Sequence, residues 1–187
     1  DIFDPMVFLW NLSSTRTNGI VGILKGCREF AEDKLRNRLR LSALTLGRDD
    51  LRGYLDRIAK FKPSAIYSYS RAAYLLALEA KKQNFVCPSL KVINLTSEPA
   101  SDYIVRTIEN AFGVPCIIQY GCVEFGFIAG QAPDRTLRVR EDILFLETLP
   151  RKDGFYDIVL TCLNNPSFPL LRYDIGDVSD RPLALPE

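Results

Sequence analysis

A chain of 187 residues, 47% hydrophobic and 25% charged, is long enough to bury a core of its own and suits one domain, with room for a smaller appended subdomain. Its 24 Lys and Arg against 23 Asp and Glu leave a net charge of +1, which argues against a nucleic-acid partner or an anionic membrane surface. The longest apolar run, near Ala72–Leu78, is far too short to span a bilayer, and no signal peptide is visible, so a cytoplasmic protein is expected. Histidine is absent, which removes His-based triads and the commonest metal ligand. The five cysteines (Cys27, Cys87, Cys116, Cys122 and Cys162) show no C-x-x-C spacing and read as reduced thiols. The chain does not begin with methionine, as expected of a fragment or an excised domain.

Taken in order, Ser13–Gly19 is a polar loop whose spacing does not fit a phosphate-binding G-x-x-x-x-G-K-[ST] motif. Gly19–Gly26 reads as a short buried strand entered and left through glycine. Glu29–Arg38 is densely charged, a solvated helix or loop, and Arg40–Leu44 follows as a strand. Asp49 or Asp50 caps a helix with Leu51, Tyr54, Leu55 and Ile58 on one face, ended by Phe61-Lys62-Pro63. Ala65–Tyr69 is a strand, and Ser70 or Arg71 opens an apolar helix to about Gln83. Lys91–Leu95 is a further strand. Ser101 caps a helix carrying Ile104, Ile108, Ala111 and Phe112 inward, which Gly113 ends. This alternation predicts an α/β fold, a parallel sheet with helices on both faces, over residues 1–130. After Gly130 come strands without helices, at Leu137–Val139, Ile143–Leu149 and Phe155–Leu163, with a turn at Lys152-Asp153-Gly154. They predict a small antiparallel or barrel-like β subdomain over 131–187.

The chemistry concentrates in Ser97-Glu98-Pro99, in Tyr120–Glu124 and in Arg172–Asp177. The first two follow predicted parallel strands, whose carboxyl ends are where open α/β sheets collect ligands. Ile117–Gly126 is a branched strand running to Gly121, then a lone acid and Gly126. Glu124 stands there either to hold a cation or hydroxyl, or as a solvated glutamate in a glycine-flanked loop. A purine ring between Pro99 and Tyr120 would be gripped by flat apolar surfaces. Asp177 can accept two hydrogen bonds from a vicinal diol, and Glu124 can give one oxygen to Mg²⁺.

The ordered series Phe61–Ile66 with Tyr69-Ser70, Thr96–Pro99, Ala111–Gly113, Tyr120–Glu124, Glu141-Asp142 with Glu147, and Pro169–Asp177 resembles the adenylate-forming enzymes. The resemblance, to the branch of phenylacetate–CoA ligases and capsular polysaccharide biosynthesis proteins, covers roughly Leu24–Asp177. It implies an AMP-forming ligase that activates a carboxylic acid with ATP to an acyl-adenylate, then passes the acyl group to a thiol, on coenzyme A or a carrier protein. It places adenine against Ser97, Glu98, Pro99 and Tyr120 with Gly121, Mg²⁺ on Glu124, and the ribose hydroxyls on Asp177. Arg172 would orient the phosphate end, and Tyr69 and Ser70 would face the acyl group. Two departures stand out: Val123 replaces a small hydroxylated residue, and Arg138 replaces a histidine. The resemblance also implies a phosphate loop upstream and a lysine-bearing domain downstream of these residues, so that the 187 residues alone are catalytically incomplete. A different class stays open, a non-catalytic descendant that binds a ligand or partner. A dinucleotide-binding domain is disfavoured, since no G-x-G-x-x-G opens a helix.

Overall fold

The computed structural model describes residues 4–11, 20–44 and 46–182, with side chains in the first helix from residue 26 onward. The polar loop expected at Ser13–Gly19 lies outside these residues. The chain divides into two compact units between Ile118 and Gln119.

The first unit is a parallel α/β layer. Its strands are β1 (Met6–Trp10), β2 (Arg38–Ser42), β3 (Ala65–Tyr69), β4 (Val92–Thr96) and the start of β5 (Cys116–Cys122). Helices α1 (Ile20–Leu35), α2 (Arg48–Phe61), α3 (Ser70–Lys82) and α4 (Asp102–Phe112) alternate with them. β1 lies between β2 and β3, with Val7 opposite Leu39 and Ile66, and β4 joins β3 to the first residues of β5. One pleat face of these strands (Val7, Leu9, Leu41, Ile66, Ile93, Leu95) meets the inward stripes of α2, α3 and α4 in a single core. Burying each such Leu or Ile stabilises by roughly 1.5–3 kcal/mol. The alternate residues Phe8, Trp10, Tyr67 and Tyr69 form a ladder of rings, Trp10 and Tyr69 stacked with centroids 4.2 Å apart.

The local signals of the middle of the chain are realised. Leu51, Tyr54, Leu55 and Ile58 of α2 are buried, and Lys62 leaves the helix with φ 53°. One cap is corrected: the N-cap is Gly47 and not Asp49 or Asp50, which lie in the first turn, where Asp50 Oδ2 accepts from the Gly47 amide at 3.2 Å and closes the turn from inside the helix. Ser101 Oγ accepts from the Ile104 amide, and Gly113 ends α4 in the left-handed region at φ 69°.

Two expectations at the start of the chain are corrected. Most of Gly19–Gly26 lies in helix α1 and not in a strand: an apolar run of that length is compatible with either, and α1 continues to Leu35. The strand after it is Arg38–Ser42, which starts inside the stretch expected as helix or loop.

The second unit is antiparallel. The last residues of β5 pair with β6 (Gly126–Gln131), and β6 pairs with β7 (Leu137–Val139). A separate sheet has the order β10-β9-β8, from β8 (Leu144–Pro150), β9 (Tyr156–Cys162) and β10 (Tyr173–Ser179). Ile128, Leu144, Leu146, Ile158 and Leu160 form its core. The turn at Arg151–Phe155 has Gly154 at φ 87°, and Asp153 accepts from the Phe155 amide. Residues 173–179, left without a strand by the sequence reading, form β10 despite the prolines before them.

Candidate functional site

In the first unit the candidate residues gather where β3 and β4 give way to a helix and a loop. Ser97 follows β4 with φ 65°, a conformation that strains a residue with a Cβ and turns the chain sharply. Glu98 is then used twice. Its carbonyl accepts from Ser70 Oγ at 3.0 Å, and its carboxylate Oε2 accepts from the Arg71 amide at 2.9 Å. A carboxylate on the first free amides of α3 satisfies an orphan donor and complements the positive end of the helix. Ser70 is buried, with its proton committed to that carbonyl, so it positions the loop. Tyr69, half-buried at the end of β3, carries its ring against Trp10. Trp10 was not singled out from the sequence. Recognising Met6–Trp10 as a strand parallel to Ala65–Tyr69 would have found it.

In the second unit Tyr120 and Asp177, 57 positions apart, are joined directly: the tyrosine hydroxyl donates to Asp177 Oδ2 at 2.6 Å. The register of β10 on β9 slips between Asp174 and Val178, so Ile175, Gly176 and Asp177 bulge out of the ladder. Gly176 takes φ 81°, and its amide donates to Asp174 Oδ1. A bulge of this kind re-aims a side chain, here Asp177 towards the phenol. Burial first, then the hydrogen bond and the charge of Asp177, push the Tyr120 phenol well above its ordinary value, so it remains a donor at any physiological pH. Asp177 keeps a second oxygen with which to accept a ligand hydroxyl.

Gly121 follows Tyr120, and a Cβ there would run into the Gly126 carbonyl oxygen. The hairpin from β5 into β6 therefore closes only on glycine. Glu124 is exposed in its tip beside Val123, which is 98% exposed. Burial and the nearby Glu124 carboxylate raise the Cys122 thiol above its ordinary value, with the backbone amides of Phe125 and Glu124 acting the other way. No group of three or more acidic or thiol ligands is assembled among the described residues. A Mg²⁺ ion held by one carboxylate, with water and phosphate completing its shell, does not need one, and an exposed Glu124 fits that role.

Arg172 is placed by two contacts. Its amide donates to Thr161 Oγ1 at 2.9 Å, and its Nε to Glu147 Oε2 at 3.1 Å, with φ 47° at the residue itself. Thr161 was not anticipated; its position facing the start of β10 became visible only in the folded sheet. Within each unit, then, the candidates converge: Tyr69, Ser70 and Glu98 in the first, Tyr120 with Asp177 and Arg172 with Glu147 in the second.

No family model matches the chain. It is similar to Protein CapK of Staphylococcus aureus, 24% identical over 151 residues that make up 80% of this chain and 34% of that protein. Among solved structures it is similar to 2-hydroxyisobutyryl-CoA ligase in complex with 2-HIB-AMP and CoA, with a TM-score of 0.66 and 19% identity over 94% of this chain and 40% of the ligase. It is also similar to a long-chain-fatty-acid-CoA ligase from Archaeoglobus fulgidus, with a TM-score of 0.57 and 14% identity over 88% of this chain and 35% of that one. The chain thus spans about a third of the first relative and at most two fifths of these ligases. Its fold is that of these solved CoA ligases.

Proposed function

We propose that the chain is the nucleotide- and acyl-binding core of an AMP-forming ligase, which activates a small carboxylic acid with ATP to an acyl-adenylate and transfers it to a thiol. Coenzyme A or a carrier protein would supply that thiol, in the cytoplasm. The observation that carries this reading is the Tyr120–Asp177 hydrogen bond, made across 57 positions by a bulge at Gly176. It couples a flat ring suited to stacking on a base to a carboxylate suited to a ribose diol. By the family resemblance Ser97, Glu98 and Pro99 would also contact adenine, Gly121 would let the nucleotide approach the backbone, and Tyr69 with Ser70 would bound the acyl group. Arg172, its guanidinium already paired with Glu147, would turn towards phosphate as charge builds there. Mg²⁺ on Glu124 would, when bound, offset the negative charge of the phosphates.

Titration calorimetry with AMP and with ATP–Mg²⁺ tests the reading. Weak saturable binding is expected, lost in Asp177→Ala and reduced in Tyr120→Phe. In the protein carrying the full reading frame, Glu124→Gln should lower turnover more than nucleotide affinity, because its charge acts chiefly in the transition state. Absence of nucleotide heat in the 187-residue chain, together with absence of adenylate formation by the longer protein, would end the proposal. A second reading, a non-catalytic binding module on the same fold, draws on Val123, which puts no hydroxyl beside Glu124. Nucleotide binding by the longer protein without pyrophosphate exchange would favour it.

A further inference from the structure

The chain enters β10 through an irregularity of its own, just before the strand begins. Tyr173 stands opposite Leu160, yet the Cys162 amide donates to the Leu170 carbonyl at 2.8 Å. Between those two points β9 contributes one residue, Thr161, and the incoming chain contributes two, Leu171 and Arg172. Such a bulge leaves a residue outside the ladder and re-aims its side chain. Arg172 sits there with φ 47°, a left-handed conformation that strains any residue carrying a Cβ. The later bulge of β10 needs no support of that kind, because its left-handed residue is Gly176. At Arg172 the backbone has to be held from outside.

Thr161 holds it. Its Oγ1 accepts from the Arg172 amide at 2.9 Å, in place of the backbone carbonyl that a regular ladder would offer. Phe145 lies opposite Thr161 in the β8–β9 register, and Glu147, two residues along β8, shares that face of the sheet. Glu147 Oε2 accepts from Arg172 Nε at 3.1 Å. The two contacts act on different parts of the residue. The hydroxyl fixes the backbone from which the side chain springs, and the carboxylate holds the guanidinium. The second contact joins side chains 63% and 25% exposed, so a phosphate can displace it at little cost. The first is not in competition with any ligand. We infer that Thr161 is a positioning residue for Arg172: it keeps the strained backbone in place while the guanidinium leaves Glu147 for phosphate and returns. This rests on the proposed role of Arg172 in orienting the phosphate end.

Pyrophosphate exchange by the protein carrying the full reading frame tests it, with Thr161→Val, Thr161→Ser, Arg172→Ala and the double variant combining Thr161→Val with Arg172→Ala. Valine keeps the branched shape that suits a strand and removes the acceptor, so the fold survives. Thr161→Val should lower turnover between about threefold and tenfold, as loss of one hydrogen bond implies, with the KM for ATP nearly unchanged. Thr161→Ser keeps the oxygen and should stay close to the parent. With Arg172→Ala already in place, Thr161→Val should lower turnover no further, because a positioning residue acts only through the group it positions. The 187-residue chain gives a readout without turnover. Amide hydrogen exchange at Arg172 should quicken in Thr161→Val and not in Thr161→Ser, while exchange at Gly176, whose amide is held by Asp174, stays as in the parent. Parental turnover in Thr161→Val, an equal loss with and without Arg172, or unchanged exchange at Arg172 would each overturn the inference and leave the role of Arg172 standing. Parental turnover in Arg172→Ala would instead withdraw that role, and the inference with it.

Discussion

In the first unit the polar side chains near the candidate site are engaged in holding the fold. Glu98 tethers the start of α3, Ser70 is buried against it, and the buried Glu79 gathers Arg52, Lys82 and Gln83 between α2 and α3. In the second unit the half-buried Tyr120 reaches an exposed Asp177, and Arg172 with Glu147 and Arg151 with Asp157 form ion pairs at the surface. Exposed pairs of that kind contribute little stability, on the order of 0–1 kcal/mol. They can therefore be re-partnered by a ligand without unfolding the protein. The first unit supplies a rigid frame, and the second supplies groups free to change partners.

The largest test of that contrast is made in the two cores. Leu55→Ala in the first and Leu160→Ala in the second, both essentially fully buried, should each cost about 2–5 kcal/mol. Trp10 is the chain's single tryptophan and belongs to the first unit, so its fluorescence in urea should report Leu55→Ala and ignore Leu160→Ala. A common shift would mean that the two units unfold as one block. Next in size, Gly121→Ala should cost about 1–3 kcal/mol by driving a methyl into the Gly126 carbonyl. It should show in circular dichroism melting and not in the tryptophan signal. Gly176→Ala should cost about 1–2 kcal/mol for its left-handed conformation. By flattening the bulge that aims Asp177, it should weaken nucleotide binding beyond what that loss of stability explains.

Ser101→Ala removes the N-cap of α4 and should cost about 1 kcal/mol, read in the tryptophan signal. The smallest effect concerns acid. Gln83, then Arg52 and Lys82, hold the Glu79 carboxyl below the usual carboxylate range, against the burial that would raise it. A lowered value in the fold means stability that is present above the ordinary carboxylate range and lost as pH falls through the lowered value. Glu79→Gln should therefore lose less of its stability than the parent when pH is brought from neutral to below about 4, followed by Trp10 fluorescence.

Much of the first unit was legible because its signals are local. The stripe Leu51, Tyr54, Leu55, Ile58 has helical spacing, Ser101 stands before the helix it caps, and Gly113 stands where the chain must turn left-handed. Ile20–Leu24 was not legible, because branched apolar residues bounded by glycine suit a buried strand as well as a helix. The strand Tyr173–Ser179 was hidden by the prolines before it and by Gly176, which marks a bulge inside a strand and not its end. The motifs of the candidate site could be read as a resemblance. The bond from Tyr120 to Asp177 depends on the register of β10 against β9, and the tether from Glu98 to Ser70 on two strand ends being neighbours. Neither is encoded within a few residues.

Among the described residues, β2 ends its sheet, with β1 on one side and no strand on the other. A bare row of amides and carbonyls is a template on which a second polypeptide can zip. Arg38 and Arg40, at alternate positions, give that row a repeated positive charge, and an identical copy approaching it would be repelled. The same two side chains thus act as a guard against fibril growth. Replacing both with valine should make concentrated solutions of the protein cloud long before its melting point moves.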